Sequence, residues 1–324
     1  MPSFGFAIVA GYYLHKAASG DIIKSKVVQL SALIIFIFIV FGFSYKTVIR
    51  NKVWKDDYTL FTTDVKTSVN SAKVNVSAGG TLIDKAVRPG ISDYQREQRL
   101  TQAVGYIENG LALHPKYTAG WLLLGNGRFH LGDYSSSMEA YLACLEISPG
   151  HEYAVTNLSM LGKKALRENE LEIARKSFEQ LIDIKPQNAA YYYQLALVYE
   201  KKGDFDNAVK YLEITTNKDS DYYRAYRKRG EIEGKIFGEL DSSIKYLSMA
   251  FNIAPNDPTT LENLGVAHGI AGQMEKSLEY LYLALEQSPD NVQVLGNIAL
   301  TYRRMGNTEK AQVYLERSRA VNKK

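Results

Sequence analysis

Residues 258–289 read PTTLENLGVAHGIAGQMEKSLEYLYLALEQSP, and this stretch decides the fold. Counted from Pro258 as position 1, large apolar residues stand at positions 4, 7 and 24 (Leu261, Leu264, Leu281) and small ones at 8, 20 and 27 (Gly265, Ser277, Ala284). Gly272 sits at position 15 and Pro289 at position 32. Apolar residues follow helical spacing on both sides of the glycine, so the stretch reads as two amphipathic helices joined by a tight turn. The large residues fill the space between the helices, and the small ones let the backbones approach. One such pair cannot bury its apolar stripe alone, so neighbours must stack on it.

Working outward, the phrase recurs about every 34 residues, at 118–149, 155–186, 189–220, 223–255 and 292–324. The first of these keeps Trp121, Leu124, Gly125, Gly132, Asp133, Tyr134, Tyr141 and Pro149. After a three-residue insertion the next keeps Leu161, Gly162, Ala174, Phe178 and Pro186. The copy at 189–220 keeps Tyr192, Leu195, Ala196, Tyr199, Gly203, Asp204, Phe205, Ala208 and Leu212, and the last keeps Leu295, Ile298, Ala299, Tyr302, Gly306, Asn307 and Ala311. One extra residue before Gly238 loosens the 223–255 copy. A seventh, degenerate copy is expected in front, with helices over 72–87 and 96–113 and a surface loop at 88–93 in place of the tight turn.

This period and pattern resemble the tetratricopeptide repeat, a helix-turn-helix unit. The expected fold is all-α: a right-handed tetratricopeptide (TPR) α-solenoid of about seven repeats, preceded by one or two transmembrane helices. The expected divisions are a truncated membrane helix and basic loop at 1–26, a transmembrane helix at 27–50, a membrane-proximal linker at 51–71 and the solenoid at 72–324.

The resemblance also implies where such an array binds. In the family the first helix of each pair lines the concave surface, with positions 2, 5, 6, 9, 12 and 13 facing it. Position 6 holds Gln194, Lys228, Asn263 and Asn297 in the last four copies, and Leu123 and Met160 in the two before. In relatives such as the repeat domain of O-GlcNAc transferase, asparagines at this position grip a peptide main chain. A carboxamide suits that task because it offers both donor and acceptor. Here Lys228 interrupts the series, so the ladder is partial.

Arg224, Arg227 and Lys228 form a cationic set, with Lys201, Arg303 and Arg304 as further candidates. Some family members close such a set on a terminal carboxylate. The two-plus-two Lys/Asn pattern of those clamps is not reproduced, and Glu231 and Glu233 lie nearby. Tyr193 would offer an aromatic ledge, although at least one of Tyr191, Tyr192 and Tyr193 must belong to the core. Beside each of these readings stands the plainer one, a polar helix face in water. The expected groove residues are thus Tyr193, Gln194, Arg224, Arg227, Lys228, Asn263 and Asn297, and the expected ligands are proteins or peptides.

No catalytic constellation stands out in this chain, which leaves open whether it belongs to an enzyme. Its five histidines are scattered and match no H-x-x-x-H or H-E-x-x-H arrangement. The sequence carries no G-x-x-x-x-G-K-[ST] phosphate loop and no G-x-S-x-G elbow. Its single cysteine, Cys144, falls at repeat position 27, where a small buried residue belongs. One cysteine makes no intrachain disulfide and no cysteine-rich metal site, so neither a catalytic residue, a cofactor nor a metal is expected. Asn75-Val76-Ser77 and Asn157-Leu158-Ser159 match the glycosylation acceptor but fall inside expected helices.

Charge is unevenly placed. The net charge is +4, with 8 Lys/Arg against 4 Asp/Glu in residues 1–71 and 31 against 31 in residues 72–324. A neutral array argues against nucleic acid as partner, because such binding needs a net basic surface to displace counterions. The basic end flanks residues 27–44, VVQLSALIIFIFIVFGFS, 18 residues without a charge. At about 1.5 Å per residue these reach roughly 27 Å, close to the hydrocarbon thickness of a bilayer. Lys24 and Lys26 flank one end, and Lys46, Arg50 and Lys52 the other, so the positive-inside rule does not set an orientation. Its phenylalanines and the lack of a small-residue cleavage site argue for a true span rather than a signal peptide. Residues 4–14, FGFAIVAGYYL, are too few to cross alone; they form either an interfacial piece or the tail of a span that begins upstream of Met1.

A further resemblance rests on Met1-Pro2-Ser3-Phe4-Gly5-Phe6, then Arg50-Asn51, Trp54, Leu60-Phe61 and Asn70-Ser71-Ala72-Lys73-Val74-Asn75. These words, in this order, resemble the passage from the last membrane helices into the first repeat of the transmembrane-and-TPR protein O-mannosyltransferases. These are glycosyltransferases of the GT-C kind, acting from a polyprenyl-phosphate donor. The resemblance implies that this chain is the C-terminal, non-catalytic part of such a protein, that the array lies on the extracytoplasmic side of a membrane, and that it presents acceptor proteins. The catalytic acids of that family lie on an early loop with no counterpart here, so none is carried over.

Overall fold

The architecture follows from where short polar side chains can cap a helix and where the backbone must turn left-handed. In the computed structural model, which describes residues 9, 11–13, 15, 16, 19 and 26–322, every regular element is a helix among the described residues. The segments 4–8, 14 and 20–25, and with them most of the first membrane piece and its basic loop, lie outside the described residues, as does the 1–6 motif.

The chain divides into two units, 1–123 and 124–324. The first contains α1 (Lys26–Asn51), a short 3-10 turn (Lys52–Lys55), α2 (Asp57–Asp64), α3 (Ala72–Ala86) and α4 (Asp93–Leu113). Helix α1 has 26 residues, about 39 Å at 1.5 Å per residue. Its apolar side chains, Phe38, Phe41 and Ile35 among them, are exposed along its length. Among the described residues it is the one helix long and apolar enough to cross a membrane by length and composition. Residues 51–71 are helical over much of their length rather than extended. Asp56 caps α2 by accepting from the Thr59 amide at 2.7 Å, Arg50 pairs with Asp64 at 2.5 Å, and Lys85 of α3 reaches Asp56 at 3.6 Å.

Helices α3 and α4 form the degenerate front pair. They cross closely because Gly79 faces Ile107 and Gly110 faces Val76; a Cβ on Gly110 would come within 2.7 Å of the Val76 methyl. Asn75 is buried here and donates to Val69 O and Ser71 O, at 2.8 and 3.0 Å. The expected surface loop between them runs from Val87 to Ser92.

Six more pairs follow: α5 (Thr118–His130) with α6 (Tyr134–Ile147), α7 (Glu152–Arg167) with α8 (Leu171–Ile184), α9 (Ala189–Lys202) with α10 (Phe205–Lys218), α11 (Tyr223–Ile232) with α12 (Leu240–Ile253), α13 (Pro258–Ile270) with α14 (Met274–Gln287), and α15 (Val292–Arg304) with α16 (Thr308–Asn322). The turn inside each pair holds one residue at positive φ: Gly132, Asn169, Gly203, Gly238, Gly272 and Gly306, between 68° and 81°. Asn169 takes the glycine's place, as the non-glycine residue that most readily adopts this conformation. The Asp or Asn after the glycine is the N-cap of the second helix: Asp133, Asp204 and Asn307 accept from amides three residues on, at 3.0–3.2 Å.

Both irregularities of the sequence have a structural form. The three-residue insertion before 155 makes no loop; it adds a turn to the N-terminus of α7, which starts at Glu152. The extra residue before Gly238 widens the end of α11 into a π-helical segment, Glu233–Phe237. In both pairs the repeat-position-8 glycine keeps its contact: Gly162 lies on Phe178 and Gly230 on Leu247. The fold is an all-α tetratricopeptide solenoid.

Candidate functional site

The first helices of the later pairs, α9, α11, α13 and α15, begin 34 or 35 residues apart, and their polar side chains bridge from one to the next. Lys228 of α11 contacts Glu200 of α9 at 3.1 Å and Glu231 of its own helix at 2.9 Å. Arg227 reaches across to Asp257, the N-cap of α13, at 2.8 Å, and to Glu231 at 3.7 Å. Asn263 donates from Nδ2 to Glu231 Oε1 at 2.9 Å. One repeat further, Asn297 donates from Nδ2 to Glu262 Oε1 at 3.3 Å. In the last three copies position 6 is therefore a ladder between neighbouring repeats, Lys228, Asn263 and Asn297 each spending a donor on an acid of the repeat before it.

The electrostatics follow from half-burial. Burial pulls the Lys228 ammonium down, but Glu231 and Glu200 outweigh it, and the net shift is upward. Burial drives the Glu262 carboxyl above its ordinary value, against the opposing pull of Lys235 and the Asn297 hydrogen bond. Tyr193 is raised chiefly by burial.

Of the groove residues expected from sequence, Arg227, Lys228 and Asn263 come together around Glu231, and Asn297 stands one repeat on beside Glu262. Gln194 is half-buried on α9. Tyr193 is only 7% exposed, its ring 5.1 Å from that of Tyr222, so its face is turned into the core; Tyr191 and Tyr192 are buried with it. Arg224 is exposed and lies against Tyr223, 5.8 Å from the ring centroid. Lys201 and Arg304 do not join the cationic set. They reach back to carbonyls at the ends of preceding first helices, Lys201 to Leu166 O at 2.7 Å and Arg304 to Gly269 O at 3.0 Å. Cations near a helix C-terminus are favoured there by the helix dipole.

Sequence reasoning placed Glu231 near the cationic set but missed Glu200 and Glu262, which with Glu231 hold the bridging side chains in place. It also missed the opening beside the π segment. A cavity of about 320 Å³ is lined by Gly230, Glu231, Gly234 and Lys235 on the first helix, by Leu240, Ser243 and Leu247 on α12, and by Asn263, Val266, Ala267 and Ile270 on α13.

Comparison with known proteins agrees with this geometry. Models described as "Tetratricopeptide repeat" match residues 91–152, 191–221 and 256–324, and one described as "TPR repeat" matches 162–203. Human Protein O-mannosyl-transferase TMTC3 is 22% identical over 280 residues, 83% of this chain and 25% of that protein. The Small glutamine-rich tetratricopeptide repeat-containing protein 2 of Saccharomyces cerevisiae is 32% identical over 74 residues, 23% of this chain and 21% of that one. The chain thus spans about a quarter or less of the length of these curated relatives. Among solved structures, MamA from Desulfovibrio magneticus RS-1 aligns at a TM-score of 0.49 and 16% identity, over 54% of this chain and 98% of that one. With its helix pairs, their glycine turns and four repeat models between residues 91 and 324, the chain is a tetratricopeptide-repeat protein.

Proposed function

We propose that this protein is a membrane-anchored module that binds extended protein or peptide segments along the face lined by α9, α11, α13 and α15. The observation that carries this reading is the run of half-buried polar side chains bridging those helices, Lys228, Arg227, Asn263 and Asn297 with their acids. Such a run is held rigid before any ligand arrives, which lowers the ordering cost of binding. Gln194 extends the face toward α9, Arg224 stands at its exposed margin, and Tyr193 backs it from the core. Helix α1 supplies the anchor: 26 residues with an apolar stretch exposed all round has no place in water without a partner. The array then lies on the extracytoplasmic side, as the resemblance to membrane-bound glycosyltransferases suggests.

A second reading is favoured by the extent of the match to the human O-mannosyl-transferase, which runs over 83% of this chain. In it the array is the non-catalytic C-terminal part of a polyprenyl-phosphate-dependent protein glycosyltransferase and recruits its acceptors. Both readings require peptide binding on the same face.

The test is a binding titration of the full chain in lipid nanodiscs against an array of short extended peptides. The double variant Asn263→Ala, Asn297→Ala is expected to weaken all bound peptides by about tenfold, the loss of two modest hydrogen bonds. Unchanged affinities would remove this face from the function.

A further inference from the structure

The cavity beside the π segment opens between α11, α12 and α13. Its floor is Ser243, Leu247 and Ala267, all buried, and its walls are Leu240, Val266 and Ile270. Two glycines line it, and both are packed tightly against α12 rather than open to the cavity. A Cβ on Gly234 would stand 2.7 Å from Ser243 Oγ, and one on Gly230 would stand 2.7 Å from Leu247 Cγ. The extra residue that makes Glu233–Phe237 π-helical widens the same turn, which includes Gly234. π-Helical turns inside α-helices often mark functional sites. A volume of about 320 Å³ has room for roughly ten waters at about 30 Å³ each, ample for one aliphatic side chain.

The rim is polar and polarised. Glu231 and Asn263 close it on the groove side, and Glu231 is already matched by Lys228. One residue from Asn263, Glu262 is half-buried, accepts a hydrogen bond from Asn297 and has no cation at ion-pair distance among the described residues; Lys235 acts on it only from further off. Burial raises its carboxyl, the signature of a charge short of solvation. A cation delivered by a ligand would restore what burial removes.

We propose that this cavity is an anchor pocket of the groove, taking one Leu-, Ile- or Met-sized side chain of a partner segment, with a Lys or Arg two positions along, on the same face of the extended segment, meeting Glu262. The proposal rests on the peptide-binding reading above and adds the class of segment bound. Apolar burial supplies the affinity, and the carboxylate sets which neighbour is accepted.

The experiment uses the full chain in nanodiscs and an array of extended peptides in which one position is Leu or Ser and the position two residues along is Lys, Ala or Glu. Wild type is expected to prefer Leu over Ser by about tenfold or more, and Lys over Glu at the second position by a similar factor. Val266→Phe, which fills the cavity, should abolish the Leu preference. Ile270→Trp, at an exposed position over the mouth, should do the same and serves where Val266→Phe fails to melt cooperatively. Glu262→Gln should remove the Lys preference and leave the Leu preference intact. If peptides bind but the Leu preference survives both Val266→Phe and Ile270→Trp, the pocket assignment is overturned while the groove reading stands. If no peptide binds wild type, both fall. Self-association of the chain that is lost in Ile270→Trp would also overturn the proposal, by assigning the pocket to a second copy.

Discussion

The pair α11/α12 and its neighbour α13/α14 have the same interior and different groove faces. In both, a glycine at the crossing admits a leucine from the second helix: Gly230 faces Leu247 and Gly265 faces Leu281, and a Cβ on either glycine would fall within 2.7 Å of the leucine Cγ. In both, the turn closes on a glycine at positive φ, 75° at Gly238 and 81° at Gly272. The extra residue of the first pair is absorbed before that turn, as the π segment, so the second helix docks as it would without it. This fold thus absorbs an extra residue at the C-terminal end of a first helix while the glycine–leucine crossing stays intact.

The largest expected effect tests that directly. Leu281 is fully buried, and Leu281→Ala should lower stability by about 3–5 kcal/mol. Leu247 is equally buried but borders the cavity, so one side of it already lacks neighbours. Leu247→Ala should therefore lower stability by less, about 2–3 kcal/mol. Denaturant midpoints, with hydrogen exchange of α12 and α14 to localise the loss, would check the ordering. Equal losses would mean that the cavity does not weaken the packing around Leu247.

Next in size is the link between the two pairs. Arg227 and Asp257 are each about one-sixth exposed and meet at 2.8 Å, while Asp257 also accepts from the Thr260 amide at 2.9 Å and from its hydroxyl at 2.6 Å. Asp257→Ala removes a cap and leaves a half-buried guanidinium short of a partner, with an expected loss of about 2–4 kcal/mol. The acid dependence follows from the sign of the shift. Burial alone would raise the Asp257 carboxyl, but the Thr260 hydrogen bonds and Arg227 together hold it below its ordinary value. A carboxyl lower in the folded than in the unfolded state contributes fully above about pH 4, and that contribution fades as pH falls through the folded value. Thermal melts of wild type between about pH 5 and 2 should show this decline, and Asp257→Asn should flatten part of it.

These contrasts explain what could be read in the sequence. Gly272, Leu281 and Ala284 announced their roles because close approach and a left-handed turn each admit few residue types, and the repetition of those demands set the register. The degenerate front pair was legible for the same reason, from the expected helices flanking Arg88 to Asp93. The groove was less so. A surface position accepts many residues, and whether Lys228 waits for a ligand or pairs with Glu200 depends on a helix 28 residues away. The form of the insertions was hidden too. Three residues before 155 became helix and one before Gly238 became a π turn, because helices absorb extra residues wherever their neighbours leave room. Tyr193 could not be separated from Tyr191 and Tyr192 by spacing, since all three are buried in the repeat that carries them.

The smallest effect concerns the caps. Asp133, Asp204 and Asn307 each reach the amide three residues on, whereas Glu239 of the irregular pair, at the same place in its turn, makes no such bond. The difference is one methylene: the carboxylate of Asp lies at the distance of that amide, and that of Glu overshoots it. Glu239 is exposed and in φ/ψ close to that of Asp204 (−84°, 82° against −89°, 78°), so the backbone is already set for an Asp. Glu239→Asp should raise stability by about 0.5–1 kcal/mol, read as a small upward shift in the denaturant midpoint. The same change leaves the cavity and the groove untouched, so peptide binding should not move. A stability gain with altered binding would mean that the start of α12 is coupled to the π turn before it, and that the irregular repeat yields as a unit.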